Sequence, residues 1–405
     1  MYNMNKAIRL KKSLLSAAIA TLICSNAYAV EPLSIPLESG VIVTPLVETG
    51  VKYDNNIFSD ATSSKSSSIL TIDPSVNFLL EDGANAYNID VAIQSGVFFS
   101  SSADNYLDAE LGFDVHLEPS SQSRYDIIGE ANWKTEARGT GIAEGQSDNI
   151  SAPITYAEQK LGASYEYGAL STPARISVDA NYYNKGYSNF KDITKYRDYS
   201  SFKLGSTFYY STRAFTDALL EVSLDNIDYS HTAPLEATRD SKDYRILGGV
   251  QWEATALTSG AVKIGYQEKD FKDASREKFS GLSWDANVQW QPLTYSTLDF
   301  STSRAARDPN VEGDYIKESV YAVSWQHVWD EKISTDLSTA YLDEDYTGVR
   351  NARKDETLTL TAAVDYAFDR WMDISFYTEF TDKDSTRDEI LYDKTVVGVN
   401  FIIVM

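Results

Sequence analysis

Apolar and polar residues alternate in this chain over runs far longer than an ordinary strand, and nothing else restricts the fold so strongly. Leu107, Ala109, Leu111, Phe113, Val115 and Leu117 interleave with Asp108, Glu110, Asp114, His116 and Glu118. Tyr87, Ile89, Val91, Ile93, Val97 and Phe99 enclose Asn88, Asp90 and Gln94. The same pattern returns at Leu282–Trp290 and at Leu358–Phe368. A period of two places the apolar and polar sets on opposite faces of a strand. Strands of soluble sandwiches average about five to six residues. Runs roughly twice that length fit tilted strands that cross a bilayer. The expected fold is therefore all-β, an antiparallel transmembrane β-barrel.

Eighteen such runs begin near Val43, Ser68, Ala86, Asn105, Arg124, Ile154, Ala174, Asp198, Thr216, Lys242, Gly260, Phe279, Ser296, Tyr315, Lys332, Asp355, Met372 and Leu391. Misreading one hairpin would reduce the count to sixteen. The connectors alternate between short ones, such as Glu81–Asn85 and Pro119–Ser123, and longer polar ones, such as Asp54–Ser67, Glu136–Pro153, Ser230–Ser241 and Ala306–Asp314. Short periplasmic turns and longer extracellular loops produce that asymmetry. The last outward residues before the short turns are Leu80, Leu117, Tyr167, Tyr210, Trp252, Trp290, Trp329 and Phe368. Their aromatic bias is that of a headgroup-level girdle. The alternation continues through Val397, Val399, Phe401 and Ile403 to Met405. Barrel-assembly machinery usually reads a terminal Phe, so Met405 departs from that signal.

Residues 1–29 read as a signal peptide. Lys6, Arg9, Lys11 and Lys12 precede a short apolar run, Leu14 to Cys24, and Ala27-Tyr28-Ala29 precedes the expected cut. Ile23 is too bulky to precede a lipid-anchor cysteine. Residues 30–405 form the barrel, delivered to the outer membrane of a Gram-negative cell, and contain no Cys.

The formal charge of −23 argues against a nucleic-acid partner, and three His with one Cys argue against zinc or iron–sulfur chemistry. No cofactor, metal or catalytic residue is expected. His116, His231 and His327 are far apart in sequence, no Gly-x-Ser-x-Gly elbow occurs, and carboxylates along one strand line a wall rather than cradle a glycosidic bond. The inward set includes Asp90, Asp108, Glu110, Asp114, Glu118, Asp126, Glu130, Asp179, Glu221, Asp285 and Asp365. Such carboxylates far outnumber the inward bases Lys52, Lys134, Lys160, Lys203, Arg245 and Lys263. A lumen of one sign prefers cations. Asp343-Glu344-Asp345 and Asp382–Asp384 read as solvated loop clusters, with divalent bridging to lipopolysaccharide as the rival role. Tyr182-Tyr183 with Tyr187, and Tyr209-Tyr210, fit a girdle better than sugar stacking.

Tyr53-Asp54-Asn55-Asn56-Ile57-Phe58, followed by Ile72-Asp73-Pro74, resembles the putative beta-barrel porin 2 family. Members often occur among exopolysaccharide or capsule loci. The resemblance implies a porin-like, non-enzymatic protein serving exopolysaccharide or capsular polysaccharide production or export. Its partners would be the lipid bilayer, lipopolysaccharide, and the polysaccharide or its secretion machinery. The alternative is a general small-solute diffusion porin with a cation-preferring acidic lumen. Such a porin usually folds one long loop into the lumen, and Glu136–Pro153 is the loop long enough.

Overall fold

In a computed structural model, residues 34–212, 215–253 and 257–404 are described. The segment read as a signal peptide, its expected cleavage point and Met405 lie outside them. Eighteen long strands follow in chain order: β1 Ile42–Asp54, β2 Ser67–Asp82, β3 Asn85–Phe98, β4 Tyr106–Ser120, β5 Ser123–Glu136, β6 Ile154–Tyr167, β7 Ala174–Tyr187, β8 Tyr199–Ser211, β9 Thr216–Tyr229, β10 Ser241–Trp252, β11 Thr258–Phe271, β12 Phe279–Leu293, β13 Ser296–Arg307, β14 Tyr315–Val328, β15 Ile333–Thr347, β16 Arg353–Asp369, β17 Met372–Ser385 and β18 Tyr392–Val404. Each start lies within two residues of the position read from the alternation. Every strand pairs antiparallel with its sequence neighbours. The ladder from Val396↔Asp54 to Val404↔Leu46 joins β18 to β1 and closes the barrel. Just ahead of it, Ile35–Pro36 pairs briefly with Ile42–Val43.

The closed ladder satisfies the backbone without leaving an edge, the condition for a sheet in lipid. Its outer face is apolar: Val91, Leu111, Leu161, Leu204, Ile264, Leu282, Leu360 and Val364 are all exposed. Toward the short turns that face ends in Tyr167, Tyr210, Trp290, Trp329 and Phe368, exposed as a girdle of amphipathic rings should be. His327 belongs to this belt, with ring centroids 4.2 Å from Trp329 and 5.4 Å from Tyr295.

Candidate functional site

The residues between the lipid-facing positions form the inner wall. Asp90 accepts from Asn77 at 2.7 Å and also from Asn88. Asp108 is buried and accepts from Thr135 Oγ1 at 2.7 Å. Lys134 pairs with Glu110, Lys160 with Glu130 at 3.2 Å, and Lys263 with both Glu221 at 3.0 Å and Asp285 at 3.4 Å. His116 Nδ1 lies 2.6 Å from Asp126, which also accepts from Ser164. Asp179 accepts from Asn181, Glu118 lies 3.9 Å from Arg124, Asp114 sits opposite Asn88, and Asp365 sits opposite Ser334. These eleven carboxylates are spread around the wall and do not converge on one point. His116 is on this wall, His231 in the 230–240 loop and His327 on the lipid face, so the three do not meet. Among the described residues, no group of three His, Cys, Asp or Glu could hold a metal.

Several bases absent from the inward set read from the sequence share the wall. Near the short turns Arg124 donates to Glu166 at 2.7 Å, and Arg175 bridges Glu166 and Asp217. Near the loops lie Lys185, Lys269, Arg353 and Lys383, each in an ion pair.

Two further expectations need correction. Asp343-Glu344-Asp345 and Asp382–Asp384 are not loop clusters. They lie within β15 and β17, whose ladders run on to Thr347 and Ser385. Alternation therefore turns Asp343 and Asp345 outward, toward Lys354 at 3.4 Å and Lys317 at 3.2 Å. The tyrosine strings also split between faces. Tyr182 and Tyr210 are exposed on the outside, whereas Tyr183 and Tyr187 face inward and donate to Glu158 at 2.7 Å and Glu136 at 3.0 Å. Inward Tyr199 joins Tyr183 and Tyr229, with ring centroids 5.4 Å apart in both pairs. The three rings come from adjacent strands, so no local string announces them.

At the loop end, the loop 137–153 turns over the mouth. Ile142, Ala143 and Ile150 pack with Ile154 and Tyr187 in a small apolar core that holds the loop to its own wall. Its far part crosses to strands that are not neighbours of β5 or β6. Glu144 accepts from Arg353 of β16 at 2.6 Å and from Lys383 of β17. Ser147 donates to Asp60 at 2.8 Å. Gly139 adopts φ +79, and a Cβ there would strike the Phe58 carbonyl, so glycine is required. Arg138 stacks 4.0 Å from the Phe58 ring centroid.

The segment 54–58 fixes both this loop and the barrel seam. Asn56 is 2% exposed and donates to the carbonyls of Asp60 at 3.0 Å and Asp393 at 3.1 Å. Asn55 Oδ1 accepts from the Thr395 amide, and Lys394 pairs with Asp54 at 2.8 Å. Backbone hydrogen bonds from Thr62 and Ser63 hold the Asp60 carboxyl below its ordinary range.

A second loop, 308–314, closes on the mouth from the other side. Arg197 donates to the carbonyls of Asn310 at 2.5 Å and Val311, Arg276 pairs with Asp314 at 2.6 Å, and Glu312 lies 3.2 Å from Arg387 and 3.7 Å from Arg353.

A closed ladder with a lipid-compatible exterior, a polar interior and infolded loops defines a porin-like β-barrel of the outer membrane. The chain belongs to the putative beta-barrel porin 2 family, whose sequence profile matches residues 40–403. No curated protein matches the sequence. Among solved structures, OccK2 (OpdF) of Pseudomonas aeruginosa is similar at 9% identity and TM-score 0.48, covering 91% of this chain and 98% of its own. OpdL of the same organism gives 10% identity and TM-score 0.45, covering 91% and 99%. The siderophore receptor PirA of Pseudomonas aeruginosa gives 9% and 0.44, covering 89% and 80%.

Proposed function

We propose that this protein is a non-enzymatic outer-membrane channel for polar solutes up to oligosaccharide size, narrowed at its outer mouth. The observation that carries this reading is the tie of Glu144 to Arg353 and Lys383, which stretches loop 137–153 across the barrel opening. A barrel of eighteen strands is wide enough for water, and a strap across its mouth restricts what enters. An intact polymer chain would need that strap removed.

The cellular role we propose is exopolysaccharide or capsular polysaccharide production or export. Two things support it: the family resemblance, and an inner wall that carries tyrosine faces beside carboxylates, a combination suited to sugars. The partners on this reading are the bilayer and lipopolysaccharide outside, the glycan or its secretion machinery, and the barrel-assembly machinery during biogenesis. The infolded loop favours the competing reading, a general small-solute porin. Deleting the gene separates the two. Reduced surface polysaccharide with unchanged small-nutrient uptake is the expected result; normal polysaccharide with impaired uptake would replace it with the porin reading.

A further inference from the structure

Arg304 of β13 stands on the lipid-facing side of the barrel. Trp284 of β12 is directly opposite it in the ladder, and the two share their face with Leu282, Trp290 and Phe300, all exposed. The guanidinium carbon lies 5.4 Å from the centroid of the Trp284 ring, close enough for a cation–π contact. Arg304 Nε is covered and has no hydrogen-bond partner, whereas the two terminal nitrogens, equally unpaired among the described residues, keep accessible surface. The other outward cations of β13–β16 are engaged. Lys317 pairs with Asp345 at 3.2 Å, and Lys354 with Glu356 at 2.6 Å. Asp343, on the far side of Ser319 from Arg304, turns to Lys354 at 3.4 Å.

The depth of Arg304 makes the missing anion informative. It stands six residues beyond Leu298, which faces the girdle residue Trp290. At about 3.4 Å per residue and a tilt of roughly 40°, that lifts it about 15 Å above the girdle, within the outer half of an apolar band about 25 Å tall. A cation facing lipid is costly unless it reaches the headgroup layer or meets an anion there. The long stem of arginine allows the reach. Lys317 adds a second cation: Arg304 faces Ser319, so Lys317 is its diagonal neighbour across the ladder. Diagonal positions are about 7–8 Å apart, and long side chains at both can meet one anion. The Lys317–Asp345 pair is open to solvent and holds Lys317 only weakly.

We infer that Arg304, with Lys317 beside it and Trp284 against it, is a binding site on the outside of the barrel for a phosphate of lipopolysaccharide. Long loops mark this end as extracellular, so the anion within reach belongs to the outer leaflet. The guanidinium fork matches a phosphate, and Trp284, Leu282 and Phe300 lie along an acyl chain. The inference gives a place and a chemistry to the lipopolysaccharide contact proposed above; it rests on that reading's outer-membrane location and not on conduction.

The test is native mass spectrometry of the full-length mature protein in detergent micelles, titrated with diphosphoryl lipid A, lipid A stripped of its phosphates, and phosphatidylglycerol. Diphosphoryl lipid A should bind at least fivefold more tightly than either of the others. Arg304→Gln should erase that margin, and it should assemble, since it removes a charge from the lipid face. Lys317→Met should reduce the margin with Arg304 intact, which keeps the test decisive should the first variant fail to fold. An unchanged margin in either variant overturns the site. Equal binding of phosphatidylglycerol also overturns it, since any anionic headgroup would then suffice. A dimer of the parent protein that Arg304→Gln splits would replace the lipid with a second copy of the chain. Planar-bilayer conductance is scored separately. Arg304-dependent lipid A binding without conductance supports the site and removes the channel reading; conductance without such binding does the reverse.

Discussion

Glu144 and Arg353, 209 residues apart in the chain, meet at 2.6 Å over the mouth of the barrel. Arg353 is 2% exposed and also grips Asp355, which Ser385 holds in place, while Lys383 joins Glu144 from β17. Two acids and two bases therefore close a compact network in which each charge has a partner. Buried pairs of this kind contribute little beyond an apolar replacement, but breaking one costs about 3–5 kcal/mol, because an uncompensated charge remains. The network is better suited to fixing where the loop rests than to stabilising the barrel.

Glu144→Gln should release that loop. The barrel ladder does not depend on it, so assembly should be retained while single-channel conductance rises and becomes noisier. Lys383→Met, which removes the second grip, should act in the same direction. Conductance equal to that of the parent protein in both variants would show that loop 137–153 does not limit the pore.

Asn56→Ala should loosen the seam. Its amide donates to two backbone carbonyls, one of them 337 residues away in β18. Leaving a buried polar group unsatisfied costs about 1–3 kcal/mol. The thermal midpoint of the folded band on unheated gels should fall, with the strand content of the surviving protein unchanged. A midpoint within error of the parent would remove Asn56 from the seam.

The barrel itself is legible in the sequence because one face of every strand sees lipid. That condition makes Leu107 through Leu117 alternate strictly, and it fixes strand starts to within two residues. The mouth is not legible. Glu144, Arg353 and Lys383 are ordinary charged residues until the ladder closes and brings β16 and β17 to loop 137–153. The string Asp54-Asn55-Asn56 stands out locally, yet its contacts with Asp393, Lys394 and Thr395 exist only across the seam. Likewise Tyr183 is visible within a string, but Tyr199, whose ring meets it, and Tyr229, which stacks on Tyr199, lie on other strands. Arg124 and Arg175 fall at the first residues of runs that begin near Arg124 and Ala174, so the alternation alone already places them inward, although the inward set omits them.

Val364→Arg and Asp365→Arg test which face is which. Val364 is exposed among lipid-facing neighbours such as Leu360 and Phe376, whereas Asp365 sits opposite Ser334 on the inner wall. The first change should cost about 2–4 kcal/mol if it lies near the bilayer midplane, and should reduce the yield of assembled barrel. The second should assemble normally. Equal losses at the two positions would invert the register.

Acid should open the 55–66 loop. The Asp60 carboxyl is held below its ordinary value by the Thr62 and Ser63 amides, and Ser147 donates to it as well. A depressed folded value means that the contribution is present above the ordinary carboxylate pKa and is lost as pH falls through the lowered one. Pepsin cleavage within 55–66, corrected for the enzyme's own pH profile, should therefore rise below about pH 4, the ordinary carboxylate region. Asp60→Asn should be cleaved readily at every pH tested, and a parent-like pH profile in that variant would assign the transition elsewhere.

Ion selectivity depends on which wall carboxylates remain uncompensated. Glu110 is paired with Lys134, Glu130 with Lys160, and Glu221 and Asp285 share Lys263, so these contribute little net field. Asp90 accepts only from neutral Asn77 and Asn88, and Asp114 stands beside them on the same face. With Asp108, which accepts from neutral Thr135, these two carboxylates give the wall its sign on the β3–β4 side, while Arg197, Arg239 and Arg276 lie in the loops above β8–β12. The conducting channel should prefer cations, and the preference should weaken as salt rises and the Debye length shrinks from ~10 Å at 0.1 M to ~3 Å at 1 M. Asp90→Lys combined with Asp114→Lys should move the reversal potential toward anions without loss of assembly, because lumen substitutions tune selectivity. Asp108→Lys and Glu110→Lys are poorer probes: the first buries a cation beside Thr135, and the second places it against Lys134. Anion preference in the parent channel at 0.1 M salt would show that the arginines at the mouth, and not the wall carboxylates, decide which ions enter.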